Sequence, residues 1–220
     1  MPKSCWLLLA LAFAAGCGDE GSEGQAGGQT GAPIEPSVKP QSWPGPAERQ
    51  LKPDHHAAPY TAAQIRAGCP DGRSSTYRLD IYGEEMLQRW RFDLGDAEGV
   101  TWTAQRLKPD GTAEGEPRAQ RHEWASLRAH ASFLAAETQV RDETIETPVG
   151  TFACMRYTVT RSKVVMGEVK GKTVNTPSVS VTDSWFAYAL PGPPVKQEEH
   201  VDGRLVSSME LVEHEMPGAR

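Results

Sequence analysis

Apolar and polar positions along this chain fall into three regimes. From Trp6 to Ala15 every residue is apolar. From Gly18 to about Pro59 apolar residues are sparse, and a glycine-dominated stretch gives way to one punctuated by Pro33, Pro36, Pro40, Pro44 and Pro46. From Tyr60 onward apolar residues recur at the two-residue spacing of strands and the three- to four-residue spacing of helices.

In the third regime, Thr61 is placed to cap a short helix over 61–67 that Gly68 ends. Tyr77, Leu79 and Ile81 alternate on one face of a strand over 76–82, and Met86, Trp90, Phe92 and Leu94 on one face of a second over 86–94. A third strand over 100–107 is closed by Pro109-Asp110-Gly111. Trp124, Leu127, Ala131 and Leu134 form one apolar stripe and predict the main helix, over 122–136, lying across the concave face of the sheet. Further strands are expected over 139–147 and 151–160, joined at Pro148-Val149-Gly150, then over 179–189 and 195–213. Asp202-Gly203 is a two-residue hairpin signal inside the last of these. The polar stretch 162–177 reads as an exposed excursion or hairpin. Short strands joined by tight turns make this an α+β fold, mainly β, built on an antiparallel sheet.

The apolar decamer spans only about 15 Å as a helix, half a bilayer core, which fits a secretion signal and not a membrane span. It runs into Ala14-Ala15-Gly16-Cys17 and then Gly18-Asp19-Glu20. Small residues before a cysteine at this point resemble the lipobox of bacterial lipoprotein precursors, with Ala14 where that family usually has Leu. The resemblance implies a signal peptide over 1–16, acyl chains on Cys17 as the first mature residue, and attachment to a membrane of the cell envelope. Gly18 after the cysteine implies sorting to the outer membrane. The expected organisation is thus signal 1–16, lipidated Cys17 and disordered tether 17–59, one domain 60–215, and a disordered tail 216–220.

Composition narrows the function classes. A formal charge of −6 excludes a simple nucleic-acid binder, and a hydrophobic share of 38% excludes a multi-pass membrane protein. Of the four cysteines, Cys5 leaves with the signal and Cys17 carries lipid. Cys69 and Cys154 remain in an oxidising compartment, where they either pair as a disulfide or stay as two buried thiols.

Candidate chemistry is thin. His122-Glu123 begins like a H-E-x-x-H zinc motif, but the second histidine would have to stand where Ser126 is. On one continuous helix His122 and His130 would not share a close face. His55-His56 reads as a solvated linker pair, and Glu84-Glu85 and Glu198-Glu199 as solvated charge. No nucleophile elbow, phosphate loop or dinucleotide fingerprint is present, so no catalytic residue, cofactor or metal ligand is assigned. Trp90, Phe92, Trp102, Trp185, Phe186 and Tyr188 either line a cavity for an apolar ligand or form the core between sheet and helix.

Thr147 to Tyr157 (T-P-x-G-T-F-x-C-x-x-Y), the aromatic strand after it, P-G-P-P-V over 191–195 and the final D-G hairpin resemble Gram-negative envelope lipoproteins whose curved sheets are similar to the LolA/LolB carriers. That resemblance implies a half-open barrel plugged by a helix and holding acyl chains, with no individual ligand residue carried over. The leading expectation is a non-catalytic, monomeric, lipid-anchored envelope protein that binds an apolar ligand or a protein partner. A structural or assembly lipoprotein with a solid core is the alternative, and an enzyme without a recognisable motif the third.

Overall fold

A computed structural model describes residues 38–217 apart from 170 and 171, with the side chains of 165–175 left aside. The signal, Cys17 and the first part of the expected tether lie outside the described residues. So do the last three residues of the expected tail.

The elements in chain order are α1 (Pro46–Arg49), α2 (Ala62–Gly68), β1 (Ser74–Ile81), β2 (Glu84–Asp93), β3 (Gly99–Leu107), β4 (Ala113–Glu123) and α3 (Trp124–His130). A 3-10 turn (Ala135–Glu137) then leads into β5 (Thr138–Thr147), β6 (Gly150–Val169), β7 (Lys172–Ala187), β8 (Lys196–Val201) and β9 (Arg204–Glu215). All nine strands form one curved antiparallel sheet in the order β4-β3-β2-β1-β9-β8-β7-β6-β5. β4 and β5 do not pair, so the sheet stays open and has two edges.

Local chemistry explains the elements. Thr61 accepts the Gln64 backbone N–H while the Gln64 side chain accepts the Thr61 N–H, a reciprocal cap that starts α2. Tyr82-Gly83 and Asp202-Gly203 are two-residue turns with positive φ at both positions (55° and 86°, 51° and 77°), matching the twist of the strands they join. The Asp202 carboxylate accepts the Val179 N–H and the Ser178 hydroxyl, tying the second turn to β7.

Two expectations need correction. The main helix is seven residues long, not fifteen, because 113–123 is drawn into the sheet as β4, pairing with β3 from Gly99↔Glu123 to Leu107↔Ala113. β4 is exposed at every position but His122, so it carries no alternation that a sequence pattern could register. Leu134 falls outside α3 and is part-exposed beside His55. Of the two readings of 162–177 the hairpin holds: the stretch belongs to β6 and β7, which stay paired from Cys154↔Ala187 to Val169↔Lys172.

The tether also ends earlier than residue 59. Trp43 packs edge-on against Tyr188 (4.8 Å) and Tyr60 (6.0 Å). The buried Arg49 donates to the carbonyls of Pro44 and Ala58, and Ala58 is completely covered. His55 and His56 are part of this strap and not a solvated pair: the His56 N–H donates to Phe133 O, and its ring meets Thr138 O at 2.9 Å. One tryptophan and one hydrogen-bonded guanidinium are enough to order a segment whose average composition looks disordered.

Candidate functional site

The aromatic side chains chosen as a possible cavity lining separate into three groups. Tyr77, Trp90, Trp102 and Phe92 stack in sequence across β1, β2 and β3, with centroid distances of 4.4, 4.8 and 6.3 Å. Register brings them together: Trp90 lies opposite Ala104, and Phe92 opposite Trp102. Phe186 and Tyr188 belong to a second cluster with Tyr60, Tyr157 and Trp43. Trp185 projects to the opposite face from Phe186, as adjacent strand residues must. There it lies under the Arg156 guanidinium (4.8 Å) and the Lys196 ammonium (5.3 Å).

Of the six, Phe92 and Trp102 line a cavity between the helices and the sheet. It lies where α2 and α3 close over the sheet, among Tyr60, Ile65, Cys69, Leu127, Ala131 and the Gly192-Pro193 loop. Its free space is about 20 Å³, room for one or two water molecules and far short of an acyl chain. The interior is therefore packed solid around Trp90 and Trp102, each under 5% exposed.

Of the two readings of Cys69 and Cys154, a disulfide or two buried thiols, the structure has the second. Cys69 ends α2, with its Sγ 3.5 Å from Pro191 O, while Cys154 sits mid-strand on β6 with its Sγ 3.6 Å from Phe152 O. Each is satisfied within its own surroundings. Burial raises the pKa of both, that of Cys154 to about 12, so both stay protonated and unreactive at neutral pH.

Sequence reasoning missed Arg73, which is 1% exposed. Its Nη1 donates to Gly68 O (2.5 Å) and Pro191 O (2.6 Å), and its plane lies over Phe92. Gly192, at φ +141°, lets the 189–194 loop approach this group: a β-carbon there would sit 3.1 Å from Cys69 Sγ and 3.2 Å from Arg73 Nη1. The Arg73 charge also reaches His214 on β9. Burial first, and Arg73 second, push the His214 pKa down to about 4. Its Nδ1 shares a 3.1 Å hydrogen bond with Ser75 Oγ. No pattern of spacing could have revealed Arg73, because its partners are backbone carbonyls of two irregular segments.

The opposite face carries an ionic network. Arg156 bonds Asp183 (2.9 Å) and Glu143 (3.2 Å), Glu143 also accepts from Trp185 Nε1, and Asp183 accepts from Thr158. Burial alone would raise both carboxyls, but these donors hold them below the ordinary carboxylate range. The network is closed on itself and positions no reactive group. Glu84 and Glu85 are exposed in the β1–β2 hairpin, and Glu198 and Glu199 are adjacent on β8. His200 lies opposite Leu205, far from His214 in register. Among the described residues no three metal-ligating side chains gather, and no helix is long and apolar enough to cross a membrane.

The two sheet edges differ. β4 contains Pro117 and Gly115 (φ 71°), and its register with β3 shifts between Ala104 and Arg106, features that blunt an edge. β5 has neither Pro nor Gly and pairs with β6 over ten uninterrupted rungs. Among the described residues, no backbone hydrogen bond leads from β5 to anything but β6.

No family model matches the chain. No curated protein matches it either. Solved structures do. A chain of the Pseudomonas aeruginosa MucA/MucB complex is 10% identical, with a TM-score of 0.45 over 71% of this chain and 56% of that one. A chain of MucB in complex with periplasmic MucA is 12% identical, with a TM-score of 0.45 over 72% and 55%. A Vibrio parahaemolyticus domain described as an outer membrane lipoprotein-sorting protein is 10% identical, with a TM-score of 0.25 over 72% and 92%. The present chain thus spans little more than half the length of the MucB-related chains.

Proposed function

We propose that this chain is a non-catalytic, lipid-anchored envelope protein that holds a polypeptide partner along the free edge of β5. The observation that carries the reading is that edge: after Thr138, whose carbonyl the His56 ring takes, β5 runs on regularly to Thr147, exposed from Gln139 to Asp142 and again at Thr144 and Glu146, with outward backbone groups that meet no other backbone among the described residues. The small cavity argues against an acyl ligand, and the irregular β4 against pairing on the other side. The anchor rests on the Ala14-Ala15-Gly16-Cys17 motif, placement in the outer membrane on Gly18, and the unbound protein is a monomer.

Photo-crosslinking residues placed singly at Gln139, Arg141 and Thr144 in the native bacterium are expected to trap one protein, the same at all three positions. The same probe at Arg118 or Gln120 of β4 is expected to trap none. Adducts at neither edge, or equally at both, would sink the reading. Lipidation is checked separately. Labelled palmitate should enter the protein and be lost in Cys17→Ala; label persisting in that variant, or never entering, refutes the anchor.

A further inference from the structure

β6 and β7 outrun the strands beside them. β5 first pairs at Thr138↔Val159, and β8 last pairs at Ser180↔Val201. β6 and β7 stay paired for eight rungs more, from Ser162↔Val179 to Val169↔Lys172. At about 3.4 Å per residue this two-stranded ribbon extends about 25 Å past its neighbours. Among the described residues no third strand pairs with it. Its base is fixed. The Asp202 carboxylate accepts the Val179 N–H and the Ser178 hydroxyl, the Asp202 N–H donates to Val179 O, and Arg161 is paired with Glu137.

The ribbon is apolar and basic. Val164 is 65% exposed, stands opposite the exposed Pro177, and shares its face with Val179, which is 39% exposed. The sequence goes on with Val165, Met166, Val169 and Val174, and strand alternation gives apolar positions to both faces. The charges on the two described strands are Arg161, Lys163 and Lys172 against Glu168, a cationic surplus in a chain of net charge −6. Lys163 is exposed. A lone two-stranded ribbon is marginally stable in water, so apolar positions on both sides call for cover on both. A protein groove covers one face. The interfacial layer of a bilayer surrounds both, and its phosphates match the lysines.

We propose that the β6–β7 ribbon is a second membrane contact, which dips into the interface of a bilayer containing anionic lipid. That bilayer is supplied by the acyl anchor proposed above, the one point on which the ribbon depends on that reading. Cys17 stands 21 residues before Val38, the first described residue, so even a fully extended chain keeps the domain within about 75 Å of the membrane. β5 starts at the base of the ribbon, at Thr138↔Val159. Contact through the ribbon therefore sets the proposed binding edge beside the bilayer.

Vesicle flotation tests this, with the chain from residue 17 onward carrying Cys17→Ala so that no acyl chain contributes. Vesicles of phosphatidylcholine with phosphatidylglycerol are expected to carry about tenfold more protein than vesicles of phosphatidylcholine alone, and to release it in high salt. Lys163→Glu with Val164→Asp, at two exposed positions, is expected to cut the bound fraction about tenfold and leave the urea midpoint unchanged. A polarity-sensitive dye on Val164→Cys is expected to shift to the blue on the mixed vesicles, and the same dye on Gln120→Cys of β4 to stay unshifted. No preference for anionic vesicles, a variant that binds like the parent, or equal shifts at both sites overturns the proposal. So does a protein captured at Val164 in the bacterium by a chain that ignores vesicles. With Cys17 replaced, none of these outcomes touches the anchor or the β5 edge, which the palmitate and crosslinking experiments judge by themselves.

Discussion

Replacing Trp102 by Ala is expected to lower the unfolding free energy by about 3–5 kcal/mol, the range for deleting a large aromatic side chain from a filled core. The ring is 3% exposed, lies between Trp90 and Phe92, and supports His122 on its far side. The figure also bears on function. If Trp102 lined a ligand-sized void, truncating it would merely enlarge the void and cost much less. Urea denaturation at pH 7.5 reads the difference, with Leu205→Ser, at a 53% exposed position of β9, expected within about 0.5 kcal/mol of the parent. A loss below about 1 kcal/mol for Trp102→Ala would reopen the case for a lipid-filled interior.

The second large effect is acid sensitivity centred on His214. A folded-state value of about 4, against 6.5 for a free imidazole, corresponds to about 3 kcal/mol. The fold accommodates the neutral ring, so this stability is complete above pH 6.5, drains away as the pH falls, and is gone below 4. The surface carboxylate of Asp96, held near 2 by the N–H groups of Gly99 and Glu98 and by Arg121, titrates only below that window. Unfolding free energy measured between pH 7.5 and 4 is expected to decline in the parent and to flatten by about 3 kcal/mol in His214→Gln. An equal decline in both would assign the sensitivity elsewhere.

Legibility in the sequence followed burial. The strands with a buried face were found, because Tyr77, Trp90, Phe92, Trp102 and Phe186 mark one side by alternation, but β6 and β7 were read short where their shared hairpin leaves the core. β4 left no such trace: its side chains from Ala113 to Arg121 are all exposed, Glu114 and Arg121 meeting Arg106 and Asp96 at the surface, and its place is fixed by backbone pairing with β3. The helix was overextended for a related reason. Its apolar stripe is real at Trp124, Leu127 and Ala131, but spacing cannot tell that His122 belongs to a strand that ends against it. The strap was missed because Trp43 and Arg49 are two residues in a proline-rich background. The half-open barrel implied by the resemblance carries open edges in general; that β5, rather than β4, is the regular one depends on Pro117 and Gly115 lying in a strand that was not recognised. The aromatic set illustrates the limit most simply. Alternation separates Trp185 from Phe186, but whether the aromatic set lines a void or fills a core depends on how tightly the rings fit, which no linear pattern encodes.

The position of β9 has a consequence for how the protein is made. It is the ninth strand in chain order and the fifth of nine in the sheet, inserted between β1 and β8. Ser74 meets Glu215 across 141 residues of sequence. Among the described residues, no strand pairing other than that of β9 joins the β1–β4 half to the β5–β8 half. Completion of the sheet therefore waits for β9, and closing so long a loop is slow. The two halves of the domain stay unjoined for as long as β9 is unmade or undocked.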